Sequence, residues 1–402
     1  MTVFSSQWVS NNSSPVLTRP TSSATAGGAT QNALTHVAVT APTNAETVNA
    51  VAQASTYAPW SGMRRCNLWT DGTVTAYYGD RCYSDTDVAN MGQAMVQVPK
   101  FWYSIDTSLA NNVAFLISTT GTETVRNLND SANITWAVHP AFVENGVTKN
   151  YIYVASYEAY YNAVTTKLES KAGVIPTDTL APATFRTDAA NNSAQWTMWT
   201  IQALAALQLL FIVEYANLDS QTVAGYGNGG TGGTRKNTGT TGSTGTNRGN
   251  DSYGIVANAT TEMSYRGIEN LWGNIQKYLD GANKAITTEH IWVKDFPPYS
   301  DVIVAPYTDT GAAVPAATLT TYWTKPSTAL IALGLFLPDS TDTGDATQTH
   351  YFCDIWLTAA GTRTLCTEGM YGGAVYTGGI FAAGTKSGAQ AGWGTRLQYH
   401  EV

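Results

Sequence analysis

Ser264–Gly281 reads SYRGIENLWGNIQKYLDG, and how this stretch folds decides the class of the molecule. Apolar residues fall at Ile268, Leu271, Trp272, Ile275 and Leu279, which is one face of a helix of period 3.6. Gly281 stands where a helix C-terminal cap needs positive φ. Gly273 is the odd residue, because glycine inside a helix costs about 1 kcal/mol relative to Ala. The stretch therefore predicts a core helix with another backbone or a large ring pressed against Gly273.

Outward from it, Gln195–Asn217 predicts a second and longer helix, apolar on nearly every side and so buried. Between the two lies 224–250, AGYGNGGTGGTRKNTGTTGSTGTNRGN, read as a long exposed loop. Strand patterns surround this pair. Cys66–Tyr78 alternates about Asp71-Gly72, a strong hairpin signal. Val96–Ile105 and Tyr151–Tyr161 are β-prone, as are His290–Phe296, Ala329–Leu337 and His350–Leu357. From Tyr371 to Tyr399, short β pieces alternate with Gly pairs. Two helices among many short strands predict an α+β class.

Residues 1–55 have a different texture. They are rich in Ser, Thr, Asn and Ala, with one short helix pattern at Asn44–Ser55 opened by the T-x-x-E capping box of Thr43 and Glu46. This region predicts an N-terminal arm for attachment or oligomerisation, ahead of one domain over 56–402.

Composition narrows the function classes. Charged residues are 12% of the 402, about half the usual share of roughly 25%. Tyr numbers 22 and Trp 12, which favours hydrogen-bonded β and loop surfaces of an extracellular or virion kind. Net charge is −8 with no basic run, so nucleic acid is not an expected partner. The most apolar window, Ile201–Val213, is shorter than the roughly 20 residues a membrane span needs. No secretory leader pattern opens the sequence. Cys66, Cys82, Cys353 and Cys366 carry no C-x-x-C step; two local disulfides and buried thiols both remain open.

The ordered signature "long helix, then G-I-x-N-L-W-G-N-I-x-x-Y, then strand, then GG…G-x-R-L" resembles the C-type lectin fold, in its formylglycine-generating branch. Gly267, Asn270, Trp272, Gly273 and Asn274 lie in the first motif, and Gly394 and Arg396 in the last. The blocks at 98–105, 139–147, 151–160 and 264–281 further resemble phage and prophage tail or fibre-associated proteins. This resemblance implies a C-type lectin-like domain on a virion, without bound cofactor. Its partners would be other virion proteins through the N-terminal arm and a host cell-surface glycan or protein, and a homo-trimer is expected. It also implies a ligand face on the C-terminal strands, with Tyr371, Tyr376, Phe381, Lys386, Gln390 and Trp393 as contact residues. The branch's copper-binding cysteines have no match, because Cys353 and Cys366 lack the R-G-G context.

Chemical motifs are few. No nucleophile elbow, P-loop or zinc pattern occurs, and no catalytic residue is assigned. Glu158, Glu214, Glu262, Glu269 and Asp354 are carboxylates with no spacing that selects a glycosidase pair. Asp339–Asp345, DSTDTGD, has the oxygen density for a structural calcium. The expected function is a tail-fibre or receptor-binding adhesin. A capsid or tail decoration protein is the first rival, and a glycan-cleaving or oxidase-type enzyme the second.

Overall fold

The computed structural model describes residues 3–9, 17, 58–109, 112–218, 220, 227–228, 235–243, 263–319, 326–343, 356–357, 363–367, 380–381, 383–386, 388–389 and 391–401. Three sheets surround one helix, Ile201–Tyr215. The first sheet orders Val3–Val9, Asn112–Ser118, Trp102–Asp106 and Ala137–Val138. The second runs Trp196–Met198, Arg396–Tyr399, Tyr151–Glu158, Gln93–Pro99, Arg64–Leu68 and Val74–Tyr77, antiparallel throughout. The third centres on Gln276–Lys284, flanked by His290–Val293 and Arg363–Thr367. The hairpin expected about Asp71-Gly72 forms, with Cys66 opposite Tyr77.

The α+β, C-type lectin-like architecture is thereby corrected: the molecule is β-rich, built of several mostly antiparallel sheets that do not close, with one long core helix. The second expected core helix does not exist. Ser264–Tyr265 and Ile268–Glu269 form a tight hairpin, and Gln276–Lys284 is a strand. The reason lies in the residues between the apolar ones. Arg266 and Gly267 both have positive φ (50° and 86°), as the two-residue hairpin turn with right-handed strand twist requires. Asn270, Gly273, Asn274 and Gly281 are also left-handed, at 52°, 82°, 62° and 84°. Left-handed residues recurring at this density cannot stay on a right-handed helix. Every apolar residue of the supposed helical face is still buried, but from turns and strands.

The real helix is buried on all sides because its sequence is apolar on all sides. Thr200 caps it by accepting from Ala203 N, and Ala216 closes it at φ 50°. It packs on the first sheet through Asn112–Ser118 and on the third through Gln276–Lys284. Val96, Val98, Ile152 and Val154 of the second sheet belong to the same core. Each such side chain stabilises by about 1.5–3 kcal/mol relative to exposure. The opposite face of the second sheet carries a separate cluster of Met95, Tyr153, Trp196, Leu397 and Tyr399. Among the described residues no helix is long and apolar enough to cross a membrane.

The N-terminal strand is part of this body. Val3–Val9 pairs in unbroken register with Asn112–Ser118, and Leu17 N donates to Ala216 O at 2.8 Å. The expected helix at Asn44–Ser55 lies outside the described residues. Within the Gly/Thr-rich stretch, Asn228 and Thr241 are buried against the 264–281 segment, and Thr238 is buried against Lys171–Val174.

That segment holds a buried ionic lattice. Lys277 pairs with Glu158 at 2.9 Å, and both are completely buried at the side chain. The Glu158 carboxylate also accepts from the amides of Asn270 and Asn274. Arg396 donates to Ala155 O at 2.8 Å and to the carbonyls of Glu269 and Asn270. At the next hairpin, Glu214 of the core helix accepts from Tyr265 Oη at 2.8 Å and pairs with Arg266.

Asp280, nearby, yields a pH prediction. Its Oδ1 accepts from Arg186 Nε at 2.7 Å, whereas Oδ2 has no partner among the described residues. Burial lifts its pKa to about 6 against the pull of Arg186. The folded state thus keeps a proton that the unfolded chain gives up near pH 4. The associated stabilisation is complete below pH ~4 and is lost as pH rises through 6. Asp280→Asn keeps the Oδ1 acceptor and is expected to remove this slope, worth at most about 3 kcal/mol. Urea midpoints at pH 4.5 and 7.0 test it; an unchanged slope in the variant would sink the assignment.

Candidate binding pocket

A cavity of about 250 Å³ opens between the third sheet and the short helix Thr328–Ala332. It is lined by Gln202, Val293, Lys294, Asp295, Leu333 and Leu335, with Pro140, Pro306 and Thr308 beside them. The elements that place these residues are hydrogen-bonded to one another. Lys294 follows the strand His290–Val293, and its N–H donates to Gly281 O at 2.8 Å, continuing the ladder. Gln202 sits in the first turn of the core helix and donates through Nε2 to Gly281 O and Lys294 O at 3.4 and 3.3 Å. Its Oε1 has no partner among the described residues.

The loop from Asp295 to Pro306 forms one wall. Tyr307 closes it, because its hydroxyl accepts from Ser300 N and donates to Ser300 O, both at 3.1 Å. Lys294 Nζ donates to Pro298 O and lies 5.2 Å from the Phe296 ring centroid and 5.8 Å from that of Tyr307. Burial lowers the Lys294 pKa from the usual lysine value, opposed by Asp295. The crest of the loop presents Val302 and Val304, 60% and 56% exposed.

Behind the pocket sits His139, completely buried among Phe101, Tyr103 and Phe142. Burial drives its pKa down to about 3, so the ring is neutral. Nδ1 accepts from Ala141 N at 3.2 Å, which puts the proton on Nε2.

The expected ligand face is placed differently. Phe381 is completely buried and Trp393 is 6% exposed against the Tyr278 ring, so neither presents itself to a ligand. Lys386 ends the strand Ala383–Lys386. Tyr371, Tyr376 and Gln390 lie outside the described residues, as do Glu262, Asp345, Cys353 and Asp354. The seven motif residues do come together. Gly267, Asn270, Gly273 and Asn274 shape the turns around Glu158, and Trp272 meets Phe211 edge-on at 5.9 Å. Gly394 runs parallel beside Lys277, and Arg396 ties the turn carbonyls.

Of the carboxylates considered for glycan cleavage, the three among the described residues are held in structural contacts. Glu158 and Glu214 are ion-paired, and Glu269 accepts from Gly239 N at 2.7 Å and Thr241 N at 3.0 Å. Glu144, His400 and Thr197 form a carboxylate–imidazole–hydroxyl row, with Nε2 2.9 Å from Thr197 Oγ1. Thr197 donates its proton to Met198 O at 2.7 Å and is buried, so the row clamps the C-terminal strand. Asp339 of the acidic loop accepts from Thr341 N and Oγ1 in a turn of its own. Among the described residues no group of three or more His, Cys, Asp or Glu could hold a metal. Cys66 and Cys82 are unbridged, and burial pushes the Cys66 thiol up to about 12, making it inert.

Sequence reading passed over Lys294 and Gln202. Their only signal is a lysine inside the β pattern HIWVKDF and a glutamine at the head of an apolar helix. No protein-family model matches the chain, and no curated protein matches it significantly.

Proposed function

We propose that this chain is a virion structural protein that contacts the host surface, a tail-fibre or receptor-binding adhesin acting by non-covalent binding. The observation that carries the reading is the pocket beside the Val302/Val304 loop. It is a concave, part-apolar site with a few polar groups, borne on sheets and a helix that are hydrogen-bonded to one another. The sequence blocks similar to phage tail and fibre-associated proteins support the setting, and so does the low charge. In this reading a surface glycan or protein of the host is the partner. The N-terminal region apart from the Val3–Val9 strand joins the chain to other virion proteins, and a homo-trimer is the working assembly.

The test is competition. Purified full-length chain is expected to bind host cells and to reduce adsorption of particles carrying the same protein in a dose-dependent way. A folded chain that neither binds cells nor competes, found instead along the capsid by electron microscopy, would make it a decoration protein.

A further inference from the structure

We propose that the pocket binds the carboxylate of a sugar acid, one ring at a time, with the Lys294 ammonium as its counter-charge. This rests on the adhesin reading for its biological setting, but its geometry stands apart. Lys294 is only 8% exposed. Among the described residues it has no ion-pair partner, and its one acceptor is Pro298 O. An ammonium offers three donors, so donors remain for a ligand. Asp295 acts on it from the exposed rim without forming an ion pair, so the buried cation is incompletely balanced and a bound anion relieves the remaining cost. The Phe296 and Tyr307 rings fix the cation in place before any ligand arrives.

The rest of the lining suits a sugar ring. Gln202 lines the cavity at 7% exposure, with its amide oxygen enclosed against Gly281. Asp295 and Thr308 stand exposed at the rim as hydroxyl partners. Val293, Leu333 and Leu335 supply the apolar surface that the C–H face of a sugar covers. A volume of about 250 Å³ falls below the roughly 300–1,000 Å³ of drug-sized sites, which admits a single ring. A lone ammonium with no arginine beside it matches one carboxylate better than a phosphate, which favours a fork of donors. The net charge of −8 opposes polyanions at long range, so selectivity falls to this one buried cation.

The experiment titrates the full chain with glucuronate, galacturonate and N-acetylneuraminate by calorimetry and saturation-transfer NMR. Glucose, galactose and inorganic phosphate serve as controls. At least one sugar acid is expected to bind about tenfold or more tightly than its neutral counterpart. Lys294→Met is expected to lose that preference, and Leu333→Trp, which fills the mouth, to lose binding altogether. Unfolding midpoints establish that both variants are folded. Equal binding of neutral sugars, equal binding of phosphate, no sugar-acid binding at millimolar concentration, or unchanged binding by Lys294→Met each overturns the proposal. If wild-type and Lys294→Met block adsorption equally, the adhesin stands and the pocket assignment falls. Sugar-acid binding without any competition for adsorption overturns the adhesin alone.

Discussion

Lys277→Met is expected to destabilise the protein by about 3–5 kcal/mol, the usual cost of breaking a buried ion pair from one side. The ammonium lies 2.9 Å from Glu158 and donates to Gly273 O at 2.9 Å and Ile275 O at 2.8 Å. All three donors are therefore spent inside the protein. Burial brings the lysine pKa down to about 8, with Glu158 resisting, so the charge persists at neutral pH. Methionine fills the volume but leaves a carboxylate buried with only the Asn270 and Asn274 amides as donors, and takes the ammonium away from Ile275 O and from Gly273 O, which keeps Ile275 N at 2.9 Å. Adding Glu158→Gln in the same chain removes the orphaned charge. The double variant should therefore lose clearly less than the sum of the singles, with a coupling of about 1 kcal/mol or more. Urea denaturation followed by tryptophan fluorescence measures all three. Additive losses, or a Lys277→Met loss below about 1 kcal/mol, would show that the lattice is not what holds the segment.

Gly273→Ala is expected to cost about 2–5 kcal/mol, from two sources. The residue has φ +82°, where an L side chain costs about 1–2 kcal/mol. A Cβ there would lie 2.8 Å from Asn228 N and 3.1 Å from Gly227 Cα. Both are backbone atoms, so relief needs a shift of the main chain, and overpacking of this kind costs about 1–3 kcal/mol. Gly146→Ala is the control, because its φ is +75° with nothing within 4 Å of the new carbon. It should lose only the conformational part, about 1 kcal/mol. Equal losses in the two variants would falsify the close approach of 227–228. Limited proteolysis should find the 227–243 region easier to cut in Gly273→Ala alone.

These two residues also show how far the sequence could be read. Gly273 carried the correct message, that a backbone passes close by, inside an incorrect frame. The apolar spacing of Ile268, Leu271, Trp272, Ile275 and Leu279 fits a helical face, and all five are buried. Spacing alone does not distinguish a helix from a series of turns that buries the same residues. The discriminating signal was polar: Arg266-Gly267, Asn270, Gly273-Asn274 and Gly281 are residue types that tolerate positive φ, too closely set for a helix. By contrast, the helix expected over Gln195–Asn217 forms at Ile201–Tyr215, where no left-handed residue interrupts the apolar run, while Trp196–Met198 pairs as a strand instead. The hairpin at Asp71-Gly72 was legible because its turn chemistry is local. The pocket was not, because Gln202, Lys294 and Leu333 meet only through tertiary packing. The ligand face expected on Phe381 and Trp393 came from a resemblance in fold, and the different fold turns both side chains into the core.

The place of Arg396–Tyr399 has a consequence for biosynthesis. This strand sits inside the second sheet, between Tyr151–Glu158 and Trp196–Met198, and Arg396 reaches Ala155 across 241 residues. At roughly 5–20 residues per second, the ribosome delivers it on the order of ten to fifty seconds after its neighbour. Until then Tyr151–Glu158 has an open, apolar edge, a template for pairing with another nascent chain. The growing polypeptide thus carries this open edge throughout the interval between the two strands, and chaperone cover in that interval would govern the yield of folded protein.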